Sequence, residues 1–213
     1  MRTIYSYIVY IILLLQLNSC NNEGLMYEYE HSTPIKFSSS CINVSTKSQG
    51  IIENNKLPKG SNISIFSIQH PENTTINLWE PILFDNIKGI SNFNGDIEYN
   101  NTYYFPDKEQ LDFFAIYPFL SFPTIGSDYG NTQYTTVTLK DNTVDQYDLM
   151  YASLLNQSKK SSVLVFEFHH LLTQITINII KNTGVTIDLP LTKVQIVAPQ
   201  SATLDIWHGQ LSD

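Results

Sequence analysis

Along most of the chain apolar and polar residues alternate one by one. The apolar members are mostly β-branched or aromatic, a combination that suits a pleated, half-buried surface better than a helical face. This alternation predicts strands over residues 35–37, 63–68, 76–79, 102–105, 111–117, 134–139, 149–151, 163–168, 175–180, 193–197 and 203–206. No stretch argues for a helix. Turn residues separate the strands: Pro58-Lys59-Gly60, His70-Pro71-Glu72-Asn73, Asn94-Gly95-Asp96, Gly126-Ser127-Asp128 and Asn182-Thr183-Gly184. Many short strands with such punctuation predict an all-β sandwich or barrel. In the run from 111 to 117, Leu111, Phe113, Ala115 and Tyr117 share one face while Phe114 and Ile116 take the other. That strand is therefore central and buried on both sides, and Pro118 ends it because proline has no donor for a central ladder. Phe113, Tyr117, Phe166, Phe168 and Ile177 are the expected core.

The first twenty residues follow a different logic. Arg2 supplies a positive start, residues 8–15 an apolar run, and Leu17-Asn18-Ser19-Cys20 a closing tetrapeptide. The apolar run is shorter than the roughly 18–20 residues that cross a bilayer, so residues 1–19 read as an export signal. A small residue directly before the cysteine resembles the bacterial lipobox, in which the Cys20 thiol receives diacylglycerol and cleavage precedes it. Each buried methylene contributes about 0.8 kcal/mol, and two or more acyl chains give a stable anchor that does not cross the membrane. Residues 20–33 then form a lipidated tether, and residues 34–213 the folded domain. Cys41 is the one remaining cysteine, so no disulfide framework is expected.

Charge narrows the class of partner. The 213 residues carry 12 Lys+Arg against 20 Asp+Glu, a net charge of −8, so no sequence-wide basic surface exists to neutralise a phosphate backbone. Nucleic acid is excluded as an expected partner. Charged residues make up 15% of the chain, below the roughly 25% usual for soluble domains, and Asn, Ser, Thr and Tyr supply the polarity instead. The Asn-x-Ser/Thr triplets at Asn43, Asn62, Asn73, Asn100 and Asn156 follow from that abundance.

Candidate chemistry is sparse. His169 and His170 are adjacent on a predicted strand and leave opposite faces, so they do not share a metal ion, and His170 reads as a packed or hydrogen-bonded core residue. There is no His-x-His, no paired-cysteine motif, no Gly-x-Ser-x-Gly elbow and no phosphate-binding glycine loop. Asp145 and Asp148 read as turn formers rather than as a glycosidase pair. No catalytic, cofactor or metal site is expected, and the chain reads as a non-enzyme. Trp79 and Trp207, with the many tyrosines, leave one alternative open: a surface glycan-binding lipoprotein of β-sandwich type that stacks sugars on exposed rings.

Three segments carry a family resemblance. They are Leu111-Asp112-Phe113-Phe114-Ala115-Ile116-Tyr117-Pro118, then Asp148-Leu149-Met150-Tyr151-Ala152, then Phe166-x-Phe168-x-His170-x-Leu172-x-x-Ile175. Their order and spacing resemble the fimbrillin-like proteins of Bacteroidetes. Weaker echoes lie at Ile35-x-Phe37 with Thr46-Lys47, at residues 60–67 and at residues 205–209, so the likeness runs over roughly residues 34–210. The resemblance implies a transthyretin-like antiparallel Greek-key β-sandwich, the N-terminal domain of a structural or adhesive fimbria (pilus) component. It implies an outer-membrane, lipid-anchored, cell-surface location, other fimbrial subunits as partners through donor-strand addition, and a host or bacterial surface ligand. The motif residues are structural: Met150 and Tyr151 pack, and the Asp148 carboxylate fixes the turn before its strand. The family's usual C-terminal domain has no counterpart in these residues. Arg2 is the sole arginine, so the exported chain, at −9, offers an arginine-specific protease no site. From these two departures the chain is expected to be at most a strand acceptor, or a terminal or vestigial subunit, and not to polymerise by itself.

Overall fold

The structure, a computed structural model, describes residues 33–41, 55–74, 83–120, 133–140, 147–159, 163–173, 175, 177–180, 184 and 192–212. Among them every regular element is a strand: β1 (Phe37–Cys41), β2 (Asn62–Pro71), β3 (Ile87–Ser91), β4 (Asp96–Glu98), β5 (Glu109–Tyr117), β6 (Tyr134–Thr138), β7 (Met150–Gln157), β8 (Leu164–His170), β9 (Ser201–Asp205) and β10 (Gln210–Ser212). The protein is all-β. Seven strands close into a barrel in the order β1-β4-β3-β2-β5-β7-β8, and β10-β9-β6 form a separate three-stranded sheet. Neighbours pair antiparallel except at the seam, where β1 runs parallel to β8 over five residues, from Phe37 opposite Leu164 to Cys41 opposite Phe168.

The double-faced pattern of residues 111–117 decides the layering. Leu111, Phe113 and Ala115 point into the barrel core, with Ile63 and Ile65 of β2 and Met150 and Ala152 of β7. Phe114 and Ile116 point the other way, into a second core with Phe66, Ile68, Leu149 and Tyr151. That second core is covered by Val137 of β6, Leu204 of β9 and Ile206. The wall β2-β5-β7 thus has apolar layers on both faces, an arrangement compatible with the expected sandwich. Inside the barrel, Phe37 is the hub: its ring stands 4.8 Å from Phe166, 5.0 Å from Phe113 and 5.5 Å from Phe84, mostly edge-to-face. Gly89 on β3 leaves room for this packing, since a Cβ there would come within 2.6 Å of the Ile97 side chain.

Buried hydroxyls tie loops to strands. Ser39 Oγ donates to Gly95 O at 3.0 Å and accepts from Leu57 N, Ser91 Oγ donates to Leu57 O, and Ser67 Oγ accepts from Phe84 N. Ser64 Oγ accepts from Leu120 N at 3.1 Å. A hydroxyl fits an apolar wall only when bonded, so each serine fixes the segment that meets it. The Asn94-Gly95-Asp96 turn joins β3 to β4. Gly95 takes φ +76°, and Asn92 Oδ1 accepts from Asn94 N and Asp96 N.

Several expected strands differ from the observed ones. Residues 76–79 lie outside the described residues. Residues 102–105 form no strand, although Tyr103 O accepts from Ile35 N, Phe105 N donates to Thr33 O and Phe105 is buried. Short β3, β4 and β10 escaped the pattern because runs of three to five residues give little alternation to read. The described parts of residues 175–180 and 193–197 alternate well yet pair with no strand among the described residues, and Ile177, expected in the core, is 49% exposed. Alternation reports fitness for a sheet, not the presence of an edge to join. Phe113, Phe166 and Phe168 are wholly buried, and Tyr117 is partly buried against the barrel core.

Truncating Phe113 or Phe166 to alanine should cost about 3–5 kcal/mol by leaving a cavity in the barrel. Urea unfolding of each variant against the wild type measures this, and a loss under ~1 kcal/mol would mean that the barrel core is not packed around these rings.

Candidate functional site

The pentapeptide Asp148–Ala152 enters β7 where the two cores meet, and its side chains divide between them. Met150 and Ala152 line the barrel with Phe166 and Phe168, while Leu149 and Tyr151 face the second core. Period-two alternation on one strand is sufficient reason. Tyr151 reaches across that core and its hydroxyl donates to Trp207 O at 2.7 Å, so burial pushes the phenol up, out of its ordinary range. Gly209, at φ +64°, lies against the Tyr151 ring, where any Cβ would collide with it. Leu172 packs against the second core, and Ile175 is exposed.

Asp148 does not simply close a turn. Its Oδ2 lies 2.6 Å from His170 Nδ1, both side chains being largely buried. Burial raises the Asp148 carboxyl above its usual range, and the His170 imidazole opposes the rise. The other ring nitrogen, His170 Nε2, is buried with no partner. His169 leaves the opposite face and meets the Tyr151 ring edge-on at 5.5 Å; burial, then His170, holds its pKa down. Cys41 stands opposite Phe168 at the end of β1. Burial, with the Asp148 charge behind it, pushes that thiol up to about 11. Thiol, imidazole and carboxylate therefore share one end of the barrel, but the thiol is held in its unreactive form and the Asp148–His170 contact acts as a clasp between the start of β7 and the end of β8. No group of three or more His, Cys, Asp or Glu residues able to hold a metal occurs among the described residues.

A second buried pair had no motif to announce it. His70 Nε2 on β2 lies 3.1 Å from Asp112 Oδ1 on β5, and the same oxygen accepts from Asn156 N at 2.6 Å. Asn156 has φ +56°, and the β5–β7 register shifts between Leu111 and Phe113. Asp112 thus holds an irregular ladder in place. The signal was available: a carboxylate inside the apolar run Leu111-Asp112-Phe113 needs a partner.

The candidate sugar platform is only partly in view. Trp79 lies outside the described residues. Trp207 packs against the second core and its ring lies 5.7 Å from that of His208, nearly parallel, with His208 Nδ1 held 2.7 Å from Asp205 Oδ2. Asp145 and Cys20 are likewise outside the described residues. An open groove of about 480 Å³ runs beside β1 and β4, lined by Lys36, Asn92, Asp96, Glu98, Thr102 and Val163 among others.

The feature with capacity for a partner is an edge. Among the described residues the barrel is closed, whereas the second sheet ends at β6 on one side and β10 on the other. A family model described as fimbrillin-like matches residues 46–213. The chain belongs to the fimbrillin-like family. That family is structural and adhesive rather than enzymatic. A fimbrial protein of Bacteroides vulgatus has a similar fold, with TM-score 0.51 and 17% identity over 83% of this chain and 60% of the other. Two candidate cell adhesion proteins, from Bacteroides ovatus and Bacteroides uniformis, align at TM-scores 0.48 and 0.44, with 15% and 21% identity. They cover 84% and 66% of this chain, and 66% and 49% of their own. This fimbrillin-like chain spans about half to two thirds of the length of these structures. No curated protein matches it.

With its thiol near pKa 11, Cys41 should be about one part in a thousand thiolate at pH 8, against roughly a quarter for a free cysteine. In a Cys20→Ser chain, a disulfide reagent should modify native Cys41 at least ~100-fold more slowly than in denaturant. Equal rates would show that the end of β1 is open.

Proposed function

We propose that this chain is a lipid-anchored structural or adhesive component of a fimbria, held at the outer surface through Cys20 and joined to other fimbrial subunits by strand addition. Membership of the fimbrillin-like family supports a surface role. The observation that supports the assembly step is the second sheet: among the described residues β6 and β10 each pair on one side only. An open edge offers a row of unpaired N–H and C=O groups, and an extended segment can bind there through main-chain hydrogen bonds, with alternate side chains giving specificity. Such a partner needs neither catalysis nor a cofactor. The net charge of −8 is of the wrong sign for nucleic acid.

The anchor rests on the arrangement of Arg2, the apolar run and Ser19-Cys20. Two acyl chains on the cysteine hold a protein at a bilayer without a spanning segment. No helix among the described residues is long and apolar enough to cross a membrane.

Cells expressing the wild-type chain should incorporate a fatty-acid analogue into it, keep it in the outer-membrane fraction and expose it to external protease. The Cys20→Ala variant should lose the label and the membrane association together. Label retained in that variant would contradict the anchor. A wild-type chain that is labelled but never recovered with assembled fimbriae would contradict the fimbrial role.

A further inference from the structure

The groove beside β1 and β4 gathers polar side chains from those strands and from the chain around them. Lys36 is exposed between buried Ile35 and Phe37, and Asp96 and Glu98 are exposed on either side of buried Ile97. Period-two alternation therefore turns all three outward, onto the groove that they line. Asn92 Nδ2 donates to Glu98 Oε1 at 3.1 Å and to Asp96 Oδ2 at 3.4 Å, so one amide holds both carboxylates in place. Asn101 and Thr102, both exposed, add an amide and a hydroxyl from the chain after β4, and Val163 adds an exposed apolar wall.

An aromatic ring stands at one end of the groove. Pro34, which lines it, bridges antiparallel to Tyr104, so the two side chains stand on the same side of the backbone. Tyr104 is 42% exposed, whereas the next residue, Phe105, is buried. Trp207 offers no comparable ring, since it packs against the second core with His208 lying nearly parallel to it. A pyranose presents an apolar C–H face and a rim of hydroxyls that both donate and accept. An exposed aromatic ring suits the first, and carboxylate, ammonium, amide and hydroxyl groups suit the second. The groove's volume of about 480 Å³ falls within the roughly 300–1,000 Å³ of small-ligand sites.

We propose that this groove binds a short, uncharged segment of a surface glycan, with one sugar ring stacked on Tyr104 and the hydroxyls of the next held by Lys36, Glu98, Asn101 and Thr102. Two carboxylates against one ammonium leave the lining net negative. Like charges placed together oppose binding, so sialylated, sulfated and phosphorylated sugars are turned away. Recognition of this kind makes and breaks no covalent bond and needs no cofactor. The inference rests on the adhesive reading of the chain and adds to it the class of ligand and the place where it binds.

The lipid-free chain, applied to immobilised neutral oligosaccharides of glucose, galactose, mannose and N-acetylglucosamine and to their sialylated and sulfated counterparts, tests the site without requiring assembly. Neutral oligosaccharides should bind and the anionic ones should not. For the neutral oligosaccharide bound most tightly, Tyr104→Ala and Asn101→Ala should each weaken binding at least about tenfold, whereas Trp207→Ala should not. Glu98→Gln, which keeps the side chain's size, should weaken it too, so an alanine variant with a lowered urea midpoint leaves the site testable. Failure to bind any neutral oligosaccharide, or binding that survives Tyr104→Ala and is lost in Trp207→Ala, would overturn the proposal. Binding of anionic glycans alone would also overturn it, as would uptake of a lysine-rich peptide in place of any glycan. A chain that binds no glycan yet is recovered with assembled fimbriae would overturn the site and uphold the fimbrial role. One that binds neutral glycan through Tyr104 but is never recovered with fimbriae would uphold the site and contradict that role.

Discussion

Burial of both faces of β5 is the constraint from which the rest of this structure follows. Leu111, Phe113 and Ala115 need one apolar layer, and Phe114 and Ile116 need another. A single sheet with one wet face cannot meet both needs. The chain answers with a barrel on one side of the β2-β5-β7 wall and a short second sheet on the other. Hydrophobic burial of this kind is worth about 1.5–3 kcal/mol for each large side chain, so exposing either face would cost a large share of a typical domain's stability.

The two layers are closed in different ways. The barrel joins back on itself through β1 against β8, with Phe37 stacked on Phe166, and that closure leaves no free edge. The second sheet has three strands among the described residues. Its Leu204 and Ile206 cover the second core, and among the described residues β6 pairs on one side only. The closed barrel and the short second sheet are therefore two consequences of one layering. The Asp148–His170 clasp and the His70–Asp112–Asn156 cluster both brace the shared wall, the first where β7 meets β8 and the second where β5 meets β2 and β7.

Much of this was legible in the residues. The alternation located β2, β5, β6, β8 and β9 to within a few residues, and the two-sided pattern of residues 111–117 marked β5 as the interior wall. The family segments pointed to the right family. Less visible were features that depend on what lies across the sheet. Asp148 read as a turn former because its imidazole partner is 22 positions away, and Cys41 gave no hint that β1 would run parallel to β8. Ile177 read as core because three alternating isoleucines carry the signature of a buried strand, whereas it is 49% exposed and pairs with no strand among the described residues. Local pattern encodes which surfaces seek burial; only the topology decides which of them find it.

The claim that one wall carries both cores is tested most directly by comparing amide exchange in β5 with global unfolding. The amides of Phe113 to Ile116 should exchange only through complete unfolding, with a free energy equal to that from urea denaturation, and the two cores should melt together. Exchange of these amides through a smaller, local opening, with one core still folded, would contradict it.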